Sequence, residues 1–254
     1  RHHTLLYFDQ RGSGQSEMPD TLQLTGAAMV EDVEAVRRAF RLDQLSVFGH
    51  SWGGGLAVLY AAQYPNRVKR MVLVGPAAPR WHPYLDQYNA NIALRHDTIE
   101  NARSAALDSI RKIAPDPHPA CHEWFRIFLR GVAASPAAAS RIKGDCAGTS
   151  TNLRLFGVLN QRIWASLVNT PDSDGYDWRG MATRVMAPTL VVHGDKDPLP
   201  LSASEEWVRV LPAARLLVIR DAGHYPHAEQ PDQFFPAVED FLTKHGLQRG
   251  DSSK

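Results

Sequence analysis

The stretch "VFGHSWGGGLA", residues 47–57, sets one serine among glycines, directly after an apolar run and directly before a helix-forming one. Its centre, Gly49-His50-Ser51-Trp52-Gly53, fits the pattern G-x-S-x-G. In a strand–turn–helix setting this pattern marks a sharp turn that lifts the serine hydroxyl clear of a sheet. The turn is expected to hold Ser51 in a strained backbone region. The glycines two before and two after it are expected to lack a Cβ because strand and helix crowd there. Ser51 then stands at a helix N-terminus, where free N–H groups and the helix dipole favour negative charge. The N–H of Trp52 is the expected donor to an oxyanion. The plain structural alternative is a glycine-rich turn that only packs a helix closely on a strand.

Outward from this turn, five short runs rich in aliphatic and β-branched residues read as strands. They are "LLYF" (5–8), "LSVF" (45–48), "MVLV" (71–74), "TLVV" (189–192) and "RLLVI" (215–219). Continuous apolar runs of this length suit strands covered on both faces. Helical periodicity falls between them, at residues 27–40, 56–63, 204–211 and 232–244. Strand alternating with helix implies a mostly parallel, doubly wound α/β sheet. Between residues 79 and about 183 the alternation stops. Helical segments there are punctuated by "PDPHP" (115–119), "SPAAAS" (135–140) and "NTPDSDG" (169–175), which reads as an inserted helical cap. The expected organisation is a first core part over 1–79, a cap over 80–182 and a second core part over 183–254. The polar end, 246–254, is expected to fray.

A serine nucleophile needs a base, and the base needs a group to orient it. The loop "VVHGDKDPLP" (191–200) follows the fourth run and "DAGHYPHAEQP" (221–231) follows the fifth. Both leave the carboxyl ends of strands, where open α/β sheets place their sites. His224 is the expected base, with His227 as its rival. Asp197 is the expected acid, in preference to Asp195, whose place directly after Gly194 suits an ordinary turn role. The chain order is then Ser, acid, His.

Composition narrows the partners. Over 254 residues, apolar types make up 44% and charged types 22%, and the net charge is +1 with no long block of one sign. Nothing in that balance points to nucleic acid or to a membrane surface. No apolar run approaches the roughly 18 residues needed to span a bilayer. Two cysteines, Cys121 and Cys146, are no disulfide framework and too few for a structural zinc site, so a reduced, cytoplasmic setting is expected. No metal and no cofactor is expected. His193, Asp195, His224 and His227 are a conceivable metal-binding set, but the triad already accounts for two of their loops.

The chain resembles the α/β-hydrolase superfamily over nearly its whole length. "YFDQRGSGQS" (7–16) and "GHSWGGGLAVLYAAQYP" (49–65) are especially similar to the proline iminopeptidase group. Carried over residue by residue, the resemblance puts the nucleophile on Ser51, the acid on Asp197 and the base on His224, with Arg11 and Gly12 in structural roles. It implies release of N-terminal residues from small peptides, with acidic cap residues holding the substrate amine. The cap offers Glu100, Asp108, Asp116 and Glu123 as acids, and Trp124, Phe125 and Phe128 as walls. Glu123, Trp124 and Phe128 are the expected substrate contacts. The alternatives are a carboxylesterase or another small-molecule ester, lactone or amide hydrolase and, further off, a catalytically silent ligand receptor. The superfamily also has about three strands and a glycine-rich loop ahead of the position of "LLYFD". They supply its second oxyanion donor, and none lies upstream of Arg1. The expectation is therefore that these residues are part of a longer protein, and that a chain beginning at Arg1 is unstable or inactive.

Overall fold

The computed structural model describes residues 3–143, 146–168 and 175–243. Four strands, β1 (Leu45–His50), β2 (Val68–Val74), β3 (Thr189–Gly194) and β4 (Ala214–Ile219), pair in parallel in that order. His50 lies beside Val74, Val74 beside Val192, and Gly194 beside Ile219, so the carboxyl ends of all four strands lie along one edge of the sheet. β1 is flanked by α1 (Gly26–Ala39) and α2 (Trp52–Gln63). Thr25 caps α1 by accepting a hydrogen bond from Ala28 N–H, a role a short hydroxyl side chain fills well.

Between β2 and β3 the chain is helical. It runs through α3 (Tyr84–Ala93), α4 (Thr98–Ile113), α5 (His118–Val132), α6 (Pro136–Ala139), α7 (Ser150–Leu167) and α8 (Arg179–Ala182). The two ends of this insertion meet in an isolated antiparallel bridge between Arg80 and Asp177. Trp178 N–H also donates to the Pro79 carbonyl, and Trp81 N–H to that of Tyr176. After β3 come α9 (Leu201–Val210), the short α10 (Pro226–Glu229) and α11 (Pro231–Thr243).

The two-residue period of the strands divides the core. Met71, Leu73 and Val191 pack into one cluster with α1, α2 and Trp207 of α9. Val72, Val74, Leu190 and Val192 face the opposite side, against Phe234, Val238 and Phe241 of α11. β3 is buried throughout, as a strand covered on both faces must be. β1 is a sheet edge among the described residues, and its Phe48 is 51% exposed.

Two expectations are corrected. Residues 5–8 form no strand: Leu5 and Tyr7 are 71% and 86% exposed, and the segment pairs with nothing in the described sheet. An apolar run alone does not make a strand; its backbone groups must pair with a neighbouring strand. The second concerns the thiols. Cys121 of α5 and Cys146, ahead of α7, are joined in a disulfide rather than reduced. The partners are 25 residues apart in sequence, and the packing of α5 against the segment before α7 brings them together. Closing a loop of that length restricts the unfolded chain by about 3 kcal/mol. Reduction, or Cys121→Ser, is expected to lower the unfolding free energy by about this amount in denaturant titrations. Equal midpoints with and without reductant would contradict the pairing. The tail 246–254 and most of the 169–175 segment lie outside the described residues. Among the described residues, no helix is long and apolar enough to cross a membrane.

Candidate active site

Ser51 joins β1 to α2 with φ 53° and ψ −122°, a left-handed-side conformation that costs a non-glycine residue free energy. The turn is held from both sides. Ser51 N–H donates to the Val74 carbonyl at 2.9 Å, while its own carbonyl accepts from Gly54 and Ala77 N–H at 2.9 Å each. A Cβ on Gly49 would come within 2.2 Å of the Gly53 carbonyl oxygen, so only glycine fits there. The matching expectation for Gly53 is corrected: a Cβ on Gly53 would meet nothing within 4 Å. It is the backbone of Gly53, not its missing side chain, that crowds Gly49. Trp52 is the first residue of α2, and its N–H is among those a helix leaves without an intrahelical partner.

The loops after β3 and β4 bring Asp197 and His224 together. His224 Nδ1 lies 2.9 Å from Asp197 Oδ2, and both side chains are buried. The second carboxylate oxygen, Oδ1, accepts from Leu199 N–H at 2.8 Å, which fixes the plane of the acid. Burial pushes Asp197 upward, but the His224 charge and hydrogen bond outweigh it, so the carboxyl lies below its ordinary range. Burial likewise pushes His224 downward. The Asp197 charge and hydrogen bond, with a further contribution from Glu229, outweigh that and raise it. The rivals stand apart. Asp195 Oδ2 is 3.9 Å from Lys196 Nζ, and His227 Nδ1 is buried without a hydrogen-bond partner.

Gly75, directly after β2, ties the pair to the serine turn. Its φ is +46°, and a Cβ there would sit 3.0 Å from His224 Nδ1 and 3.1 Å from Asp197 Oδ2. The residue before it is Val74, whose carbonyl holds Ser51. Sequence reading passed over Gly75, because a lone glycine after a strand carries no pattern. His50 completes the surroundings: its Nε2–H donates to the His224 carbonyl at 2.8 Å, and burial with the His224 charge pushes its pKa down to about 3. It therefore stays neutral beside His224.

Arg11 has the structural role expected of it, making a double hydrogen bond to Asp32 of α1 at 2.6 Å each and a bond to the Gln23 carbonyl. The neighbouring loop reaches Trp52, whose Nε1–H donates to Gln10 Oε1 at 3.1 Å.

The four acids expected of the cap, Glu100, Asp108, Asp116 and Glu123, do not stand as free anions. Glu123 is held by Arg103 in two hydrogen bonds of 2.7 and 2.6 Å, which keep its carboxyl below the usual range. Glu100 pairs with Arg130, Asp108 with Arg111 and Lys112, and Asp116 with His118. Trp124 stacks on Phe128 and packs with Leu107, Ala120 and Ile127 in a small core inside the insertion. Phe125 and Phe128 belong to a cluster that extends to Tyr88 and Tyr225, and both of these rings lie against His224.

Residues 1–231 match the family model described as alpha/beta hydrolase fold, and the chain belongs to that family. A proline iminopeptidase of Heyndrickxia coagulans is 22% identical over 243 residues, covering 94% of this chain and 81% of its own. A 2-hydroxymuconate semialdehyde hydrolase of Pseudomonas putida is 27% identical over 256 residues, covering 93% and 75%. An alpha/beta fold family hydrolase from Bacillus anthracis superposes with a TM-score of 0.65 at 19% identity, over 91% of this chain and 80% of its own, a likeness of fold.

Proposed function

We propose that this hydrolase-family chain is a serine hydrolase acting through Ser51, His224 and Asp197 and an acyl-enzyme. The observation that carries this reading is the convergence at Gly75. One glycine lies against the buried His224–Asp197 pair and directly follows the residue whose carbonyl fixes Ser51.

In the proposed reaction, Ser51 Oγ attacks the carbonyl carbon of an ester or amide and passes its proton to His224 Nε2. Asp197 holds the imidazole in the tautomer that can accept that proton and stabilises the imidazolium that forms. The Trp52 N–H donates to the oxyanion. The carbonyl then reforms, the bond to the leaving group breaks, and His224 gives its proton to the departing alcohol or amine. Water, deprotonated by His224, attacks the acyl-serine; the bond from the acyl carbon to Ser51 Oγ breaks, the acid leaves, and His224 returns the proton to Oγ. Helices α3–α7 act as the cap over this edge of the sheet.

For the substrate, the motifs at residues 7–16 and 49–65 favour release of an N-terminal residue from a small peptide, as the name of the Heyndrickxia relative suggests. The cation pairing of Glu100, Asp108, Asp116 and Glu123 favours a second reading, a neutral carboxylester. Comparing proline, alanine and leucine p-nitroanilides with short p-nitrophenyl esters separates the two. Anilide cleavage that requires a free amino terminus supports the peptidase, and ester cleavage alone supports the esterase.

Gly75→Ala tests the convergence. The added methyl, held at a strained φ of +46°, would stand 3.0 Å from His224 and 3.1 Å from Asp197 and push them aside by a few tenths of an ångström, a misplacement expected to cost roughly 10-fold. Turnover is expected to fall by about that factor while the protein stays folded. Unchanged turnover would show that the contact at Gly75 does not position the pair.

A further inference from the structure

The base loop is fastened to the insertion at several points. His224 N–H donates to the carbonyl of Val132, the last residue of α5, at 2.9 Å. Two residues on, Ala134 N–H donates to Glu229 Oε2 at 2.8 Å, while Tyr225 N–H, beside the base, donates to Glu229 Oε1 at 3.0 Å. Glu229 thus spends one oxygen on the exit of α5 and the other on the residue after His224. Its side chain is buried, and the residue as a whole is 2% exposed. Arg95 makes the parallel link on the acid side, donating to the carbonyls of Gly131 and Ala133 and, at 2.7 Å, to that of Lys196.

Building on the hydrolase reading, we propose that Glu229 is a positioning residue for His224, its carboxylate clipping the base loop to the exit of α5. A buried carboxylate with two backbone N–H donors is a strong, charge-assisted clip. A neutral amide can satisfy only one of the two, because its NH2 opposes the other N–H. The same anion adds to Asp197 in favouring the charged form of His224. The other groups around His224 are His50 at the end of β1, His193 in β3, Tyr88 on α3, Tyr225 beside it and His227 in α10. The three histidines are held toward the neutral form by burial, so Glu229 and Asp197 are the anions in this set.

The test is the rate of fluorophosphonate labelling of Ser51 against pH, in the full protein and in Glu229→Gln and Glu229→Asp. For Glu229→Gln, the midpoint of the rate profile is expected to move down by about half a unit as the nearby charge is lost. Its limiting rate is expected to fall by about tenfold from misplacement of the base. Glu229→Asp keeps the charge but shortens the reach, so its midpoint should stay in place while its limiting rate falls. A slower Glu229→Gln with an unmoved midpoint would overturn the proposal in favour of a purely structural role. If Glu229→Gln does not fold, Glu229→Asp decides, and an undiminished limiting rate there overturns the clip. A parent protein that takes no label at Ser51 overturns the hydrolase reading as well, whereas normal labelling of the parent with an unshifted midpoint in Glu229→Gln overturns the clip alone.

Discussion

Ser51→Ala is expected to reduce turnover by a factor on the order of 10⁶, the scale seen when a serine nucleophile is removed from an intact triad. The fold should survive. Alanine keeps the Cβ and the backbone bonds of Ser51 to Val74, Gly54 and Ala77, and carries the same strained φ of 53°. The elbow is therefore loaded equally in both proteins, and thermal midpoints should agree closely. Ser51→Gly offers a useful contrast: it relieves a strain of about 1 kcal/mol or more, so it should be as inactive yet slightly more stable. Retained turnover in folded Ser51→Ala, measured on the anilide and ester panel, would remove Ser51 from the mechanism.

Asp197→Asn is expected to lower turnover by about 10⁴-fold. The amide can donate to His224 Nδ1, which leaves the proton on Nε2, the nitrogen that must receive the one from Ser51. Asp195→Asn, by contrast, should leave turnover little changed, since its side chain only approaches Lys196 at 3.9 Å. The reverse ranking would exchange their roles. The pH profile carries a second signature. In the proposed reaction turnover requires neutral His224, whose pKa lies above its ordinary 6.5, so the acid limb should fall above that value and move to lower pH in Asp197→Asn. Stability follows the opposite edges. Asp197 lies below its ordinary 3.8, so its contribution is present above that pH and is lost as pH falls through the lowered value. His224 is raised, so its contribution is full below 6.5 and is lost as pH rises through the higher value.

Much of this site was legible because its chemistry lies in local patterns. The elbow is a turn with a five-residue signature, and the acid and base loops each directly follow a strongly apolar run. The parallel sheet then places all of them along one edge, and the loop after β4 crosses back over the strand ends so that His224 packs against His50, the residue before Ser51. What escaped notice depends on contacts between distant segments. The apolar run at 5–8 looks like a strand in isolation but pairs with neither edge of the described sheet. The Cys121–Cys146 bond, from α5 to the segment before α7, and the Arg103–Glu123 pair, from α4 to α5, depend on packing that no composition reveals. Glu229 lies five residues after His224 and reads as a turn acid until α5 is placed beside it. Gly53 shows the converse error, a motif position to which crowding was assigned that belongs instead to Gly49.

The most direct test of the central claim is to treat the full protein with a fluorophosphonate and locate the adduct by intact-mass measurement and peptide mapping. A single adduct, on the peptide carrying Ser51 and lost in Ser51→Ala, is the predicted result. A folded protein that takes no adduct, or takes it at another residue, would contradict the serine-hydrolase reading.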